Sequence, residues 1–324
     1  MYQAQAENKC LGHKSSHIGQ AATETLEAFY LVQPMPSNNE ADDVTTRRRR
    51  ANHEEIRMRE HYIEESNKVQ FGPAELNAWG ICASRMRVDG SGAANTPKFF
   101  QLFPGELPPI DEQHIGMAFP TFKNELGRQH IPGAIVRHVM DVVEYFGRYF
   151  SLCDLAKRKA IKEAMPRALA LETIKDESWK FINIGDFHAT KPLAEFNTTS
   201  EWRVEGLGED FKQRYLHIQC VVAHNIDGDD KLLRGELLTL TRIMKGRLKT
   251  GKFRHHVVAP VLLFSYMGPQ HARILESYYN GHELIVKYSE LFDLTIRNDE
   301  TMQLFARWFE SRPIGNTEDD DENQ

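Results

Sequence analysis

"APVLLFSYMGPQHARILESYYNG", residues 259 to 281, decides how the C-terminal half of the chain is read. An apolar run reaches Ser265, Gly268 and Pro269 interrupt it, and an amphipathic segment continues to Gly281. The run reads as a strand. Pro269 suits the first position of a helix, where its missing N–H would have no intrahelical partner, and Gly281 suits the left-handed residue just past a helix end. Ile274 with Tyr278, and Leu275 with Tyr279, then form a face to pack on a sheet. The stretch is expected to be strand, turn and helix. An anion site at that helix N-terminus, with Ser265 and His271 beside it, is the functional alternative. Packing is preferred over it, because proline removes one amide donor and neither G-x-G-x-x-G nor a glycine-lysine-serine/threonine ending is present.

The text around this stretch alternates. "KFINI" and "YLHIQCVVAH" read as strands, and "LLRGELLTLTRIMKGRL" as a helix with Leu233, Leu237, Leu240 and Met244 on one face. "ELIVKY" is a further strand, and "NDETMQLFARWFESR" a last helix capped by Asn298. Upstream, Ile135, Val139, Val142, Val143, Phe146, Tyr149 and Phe150 form a helical stripe that ends near Pro166. The expected fold class is α/β or α+β, with strands and helices alternating around a largely parallel sheet after one long helix. Residues 70 to 133 are too rich in breakers for an assignment.

Four segments follow from composition. Residues 1–52 read as a disordered polar and basic arm, 53–67 as a charged, solvated helix with i,i+4 pairs such as Glu55 with Arg59, 68–313 as one globular domain, and 314–324 as a disordered acidic tail. The 324 residues, 41% apolar, suffice for a real core, and a net charge of -6 gives no global attraction to nucleic acid or anionic lipid. Cys10, Cys82, Cys153 and Cys220 show no C-x-x-C spacing and read as reduced thiols. Without a secretory leader or an apolar run long enough to span a bilayer, the expected setting is soluble, cytoplasmic or nuclear, with no membrane partner.

The block from "RGELLTLTRIMKGRL" through "APVLLFSYMGPQHARILESYYNGHELIVKYSELFDL" resembles a recurring C-terminal block in uncharacterised proteins of filamentous fungi. The resemblance implies fungal origin and an accessory or regulatory role, including in specialised-metabolite gene neighbourhoods. It brings no catalytic residues.

Three constellations carry chemical hints. Between Glu236 and Glu276 there is no acidic residue, whereas Arg242, Lys245, Arg247, Lys249, Lys252, Arg254 and Arg273 are basic. Arg242, Lys245, Lys249, Lys252 and Arg254 are therefore the candidate surface for a polyanion or a protein partner. Arg47, Arg48, Arg49 and Arg50 are a candidate nuclear import signal. "INIGDFHAT" is similar to the first metal-binding block of metallophosphoesterases, and the rival enzyme reading joins Asp186 and His188 to Asp229 and His282. His282 is the last histidine, so the later ones that resemblance requires are missing. Asn225, Asp227, Asp229 and Glu236 also imitate a calcium loop, but Asp230 stands where the sharp turn wants glycine. No cofactor is expected, no nucleophile motif is present, and binding rather than catalysis is the expected activity.

Overall fold

The chain divides after Asp42, and the computed structural model describes residues 44–91, 95–122, 134–182 and 201–318, all in the unit that begins at Asp43. Most of the expected N-terminal arm and residues 319–324 of the expected tail lie outside the described residues.

The elements run α1 (Val44–Glu65), β1 (Gln70–Phe71), α2 (Pro73–Ala78), β2 (Ile81–Arg85), β3 (Phe100–Gln101), α3 (Ala134–Ala164) and α4 (Arg167–Asp176). Next come β4 (Trp179–Ile182), β5 (Trp202–Asp210), β6 (Ile218–Asp227), β7 (Leu232–Leu233) and α5 (Arg234–Lys249). The chain continues with β8 (Val261–Gly268), β9 (His271–Tyr279), β10 (Leu284–Tyr288), β11 (Phe292–Asp293), α6 (Asp299–Phe309) and β12 (Arg312–Pro313).

The main sheet has the order β2-β10-β9-β8-β6-β5-β4, with β11 paired beside β9. It is mixed rather than largely parallel: β2 with β10 and β6 with β8 are parallel, and the other pairs are antiparallel. The main correction is residues 271–279. They form β9, hairpinned to β8 across Pro269 and Gln270, with Ser265 opposite Arg273 and Leu263 opposite Leu275. Every residue from Ala272 to Tyr279 is buried, because β9 is an interior strand covered on both faces. Such a strand shows no alternation, and its apolar spacing imitates a helix. With no helix there, the alternative of an anion site at its N-terminus has no basis.

Alternate strand residues feed two cores. Ile218, Cys220, Val222, Leu263, Leu275 and Val286 pack under α1 and α5, whereas Leu262, Phe264, Tyr266, Ile274 and Tyr278 pack under α3 and α6. The stripe on α3 buries Val139, Val142, Val143, Phe146, Tyr149 and Phe150. Asn298 caps α6, its side-chain oxygen accepting from the Thr301 N–H at 3.0 Å, and Phe305 and Trp308 sit in the second core.

The boundary expected at residues 52–53 falls inside α1, which starts at Val44 and is neither an arm nor a solvated helix. Its buried positions are Arg49, Asn52, Ile56, Arg59, Glu60 and Ile63, a helical stripe made mostly of polar residues. Arg49 donates to the carbonyls of Arg247, Leu248 and Thr250 at the C-terminus of α5, and to those of Phe253 and His256 beyond it. These include the carbonyls that a helix end leaves without partners, and the cation also complements the negative end of the dipole. Glu60 accepts from Arg242 and Lys245, and Arg59 donates to the carbonyls of Gly80 and His282 at 3.0 and 2.9 Å. At the other terminus residues 314–318 are held rather than loose, since the Thr317 carbonyl accepts from the N–H groups of Val257 and Val258.

Candidate functional site at the carboxyl edge of the sheet

Pairing fixes strand direction. β2, β6, β8 and β10 run the same way, so their carboxyl ends at Arg85, Asp227, Gly268 and Tyr288 share one edge, where β9 begins at His271. In sheets of this kind the crevice outside the carboxyl ends is where ligands bind, because side chains and loop amides converge there without a covering helix.

Beneath that edge lies a buried polar cluster. Glu236, in the first turn of α5, accepts from Arg273 Nε at 2.7 Å and Nη2 at 2.6 Å, and reaches back to the Leu233 N–H at 2.7 Å. Both members of the ion pair are fully buried. Burial pushes the Glu236 carboxyl up, but Arg273 beside it outweighs that and holds it below the usual range. The remaining Arg273 donors bind the carbonyls of Asp229 and Lys231, which ties down the loop between β6 and α5. His224, on the same sheet face, has neither ring nitrogen paired, and the Ser265 and Thr239 hydroxyls and Trp202 Nε1 are also unpaired. Burial holds the His224 pKa down at about 4, against an opposing pull from Glu236, so the ring is neutral at neutral pH. Sealed from solvent, this cluster shapes the edge and cannot meet a substrate.

The accessible part of the edge is a cleft of about 570 Å³ beyond the ends of β2 and β10. Met86, Val88, Phe292 and Leu304 give it apolar walls, and Arg85, Arg87, Asp89, Ser289 and Glu290 give it polar ones. Arg85 donates to the Ser289 carbonyl at 2.7 Å, pairs with the exposed Asp230, and lies 4.7 Å from the Tyr288 ring centroid. Arg273 lies 5.7 Å from the same ring, so Tyr288 joins the buried cluster to the cleft. The cleft is formed because residues 85–88 keep a two-residue alternation past the end of β2, with Met86 and Val88 buried and Arg85 and Arg87 exposed. That alternation in "SRMRV" was the available signal, hidden among the breakers around it.

The residues singled out from sequence are distributed differently. Arg242 and Lys245 are buried against Glu60 and Glu64, and Arg247 against Glu209, so they do not form one exposed basic surface with the others. Lys249, Lys252 and Arg254 are exposed at the far end of α5, separated from the Gly268–Pro269 turn by the length of β8, about 25 Å at 3.3 Å per residue. Arg49 is a buried capping residue, so Arg47, Arg48, Arg49 and Arg50 are not an available basic run. Asp229 stands at the carboxyl edge, and His282 in the turn between β9 and β10 at the opposite edge, so the two cannot share an ion. Asp186 and His188 lie outside the described residues. Among the described residues no three His, Cys, Asp or Glu side chains are grouped to hold a metal, and no helix is long and apolar enough to cross a membrane. The imitation calcium loop is a strand-to-helix turn in which Asp229 accepts from the Lys231 N–H at 2.8 Å and Glu236 is committed to Arg273.

Comparison of the chain with protein-family models, with curated proteins and with solved structures gives no match.

Proposed function

We propose that the protein acts by binding, and that its ligand is a small amphipathic anion, a carboxylate or phosphate on an apolar body, taken up in the cleft at the carboxyl edge. The observation that carries this reading is the union in one cleft of an apolar wall from Met86, Val88, Phe292 and Leu304 with the guanidinium groups of Arg85 and Arg87. Arg85 is held by Ser289 and Tyr288 while its outer partner, Asp230, is exposed and can give way to a ligand anion. Small-molecule sites commonly pair a mostly apolar lining with a few placed polar groups. An accessory rather than catalytic role, which the resemblance of residues 234–294 implies, is part of the proposal.

The test is titration calorimetry with octanoate, octanol and inorganic phosphate. Octanoate is expected to bind, with octanol and phosphate at least tenfold weaker because each offers only half of the recognition. Arg87→Glu is expected to abolish octanoate binding without moving the melting temperature, since Arg87 is exposed. Equal binding of octanoate and octanol, or binding unchanged in Arg87→Glu, would sink the reading.

A further inference from the structure

The C-terminal end of α5 and the turn after it form a corner with uncompensated positive charge. Lys249, Lys252 and Arg254 are exposed there, and the hydrogen bonds they make go to neutral groups: Lys252 donates to the Gln213 side chain and Arg254 to the His255 ring. None of the three pairs with a carboxylate of the described residues. Other cations of α1 and α5 are paired, Arg57 with Glu54, Arg59 with Glu55, Arg242 and Lys245 with Glu60, and Arg247 with Glu209. The start of α1 adds to the excess. Arg49 donates to the Thr250 and His256 carbonyls at 2.9 Å each, which clamps α1 to the corner. Burial and then Lys249 hold the His53 pKa down at about 4, so His53 lies close to Lys249, and the exposed Arg50 is one helical turn from His53 on the same side of α1.

The chain itself returns to this corner just before its acidic end. The Thr317 carbonyl accepts from the Val257 and Val258 N–H groups at 2.8 and 3.1 Å, Thr317 Oγ1 is 2.6 Å from His256 Nδ1, and the exposed Glu318 places Oε1 3.8 Å from His256 Nε2. Glu318 is thereby fixed beside His256, two residues from Arg254. Asp319, Asp320, Asp321 and Glu322 follow it and lie outside the described residues. Extended, four residues span about 13 Å, and Lys252 is no more than about 15 Å from His256 along the chain, a gap that the side chains close. We infer that residues 319–322 dock on this corner, with their carboxylates against Lys249, Lys252 and Arg254. Charge complementarity and the point at which the tail leaves the fold name this occupant, and a short tether gives it a high effective concentration at the corner. Single exposed ion pairs are weak and screened by salt, so the tail is a displaceable cover rather than part of the core. The corner lies at the end of α5 away from the carboxyl-edge cleft, and the inference does not rest on that site.

Acetylation rates of individual lysines, read by mass spectrometry on the full chain at low salt, test the assignment, because a nearby carboxylate favours the charged, unreactive amine. The comparison is between the wild type and a variant carrying Asp319→Asn, Asp320→Asn, Asp321→Asn and Glu322→Gln. Lys249 and Lys252 are expected to react at least threefold faster in the variant, whereas Lys159, 78% exposed on α3, should react equally in both. Raising the salt to about 0.5 M should bring the wild type to the variant's rates. Equal rates for Lys249 and Lys252 in the two proteins at low salt would overturn the inference. Protection that grows with protein concentration would also overturn it, since the tail would then be covering a second copy.

Discussion

The two faces of the sheet are held down by different chemistry. Under α1 and α5 the contacts include buried charges: Glu60 with Arg242 and Lys245, Glu209 with Arg247, Glu236 with Arg273, and Arg49 on the carbonyls at the end of α5. Under α3 and α6 one buried ion pair, Lys157 with Glu310, stands among contacts that are otherwise mostly rings, with Phe146, Phe150, Phe264, Tyr266, Phe305 and Phe309 in mutual contact. A charged face tolerates one arrangement, because removing either partner strands the other in a low-dielectric interior. An aromatic face is governed by volume, and so it can carry a void. A small apolar cleft between α3, β4, β5 and α6 opens on that face.

The sharpest test of this contrast compares deletions with conservative swaps. Glu236→Ala should cost about 3 to 5 kcal/mol in urea denaturation, and Phe305→Ala about the same through its cavity. The faces should then separate: Glu236→Gln keeps the shape yet leaves Arg273 uncompensated, costing roughly 2 to 3 kcal/mol, whereas Phe305→Leu should cost nearer 1.5 kcal/mol. Equal costs for the two swaps would break the distinction.

Acid probes the charged face next. The His224 pKa is about 4 in the fold against an ordinary 6.5, so between those values the unfolded chain takes up a proton that the native ring, buried beside Arg273 and Glu236, refuses. Stability is therefore full above pH 6.5 and falls as the pH drops toward 4, by on the order of 3 kcal/mol for this residue. His217, which shares a hydrogen bond with the Ile314 carbonyl and also has a pKa near 4, adds a loss of the same sign. Denaturation midpoints at pH 7.5 and 4.5 should differ less in His224→Leu than in the wild type, and an unchanged difference would remove His224 from the account.

Arg49→Ala should cost roughly 2 to 3 kcal/mol, since it strips charged hydrogen bonds from buried carbonyls. Arg50→Ala, at an exposed position, should cost under about 0.5 kcal/mol. Thermal melts of the two variants check the difference, and similar shifts would return the four arginines to the status of a solvated run.

The smallest pair of effects should differ in sign. A Cβ at Gly235, where α5 begins, would meet Trp202 Cγ at 2.4 Å, and Gly235→Ala should destabilise by about 1 to 3 kcal/mol. Gly147→Ala, on the aromatic face, should stabilise by about 0.5 to 1 kcal/mol, read as a raised melting temperature. A lowered one would mean that the space in front of Gly147 is not open.

How much of this was legible depends on where the information resides. Helices covered on one side announce themselves through local periodicity, and α3 and α6 were readable for that reason; α5, buried on every face, was readable from its leucine spacing, and β6, β10 and the Asn298 cap from their own local signals. The cleft residues Arg85 and Arg87 were readable in principle from alternation over four residues, but nothing local shows that β2 and β10 end together. α1 was invisible as a packed helix because its buried stripe carries Arg49, Asn52, Arg59 and Glu60, whose partners lie up to 223 residues away.

The sequence by itself determined that the chain mixes helices with strands, where its periodic helices lie, and that a basic run crosses residues 242–254. The tertiary structure alone decided that residues 271–279 are a strand, because burial on both faces erases periodicity and only pairing with β8 and β10 chooses between helix and strand. It also decided that Arg242 and Lys245 face Glu60 rather than water, since charge along a chain is a local property and exposure is not.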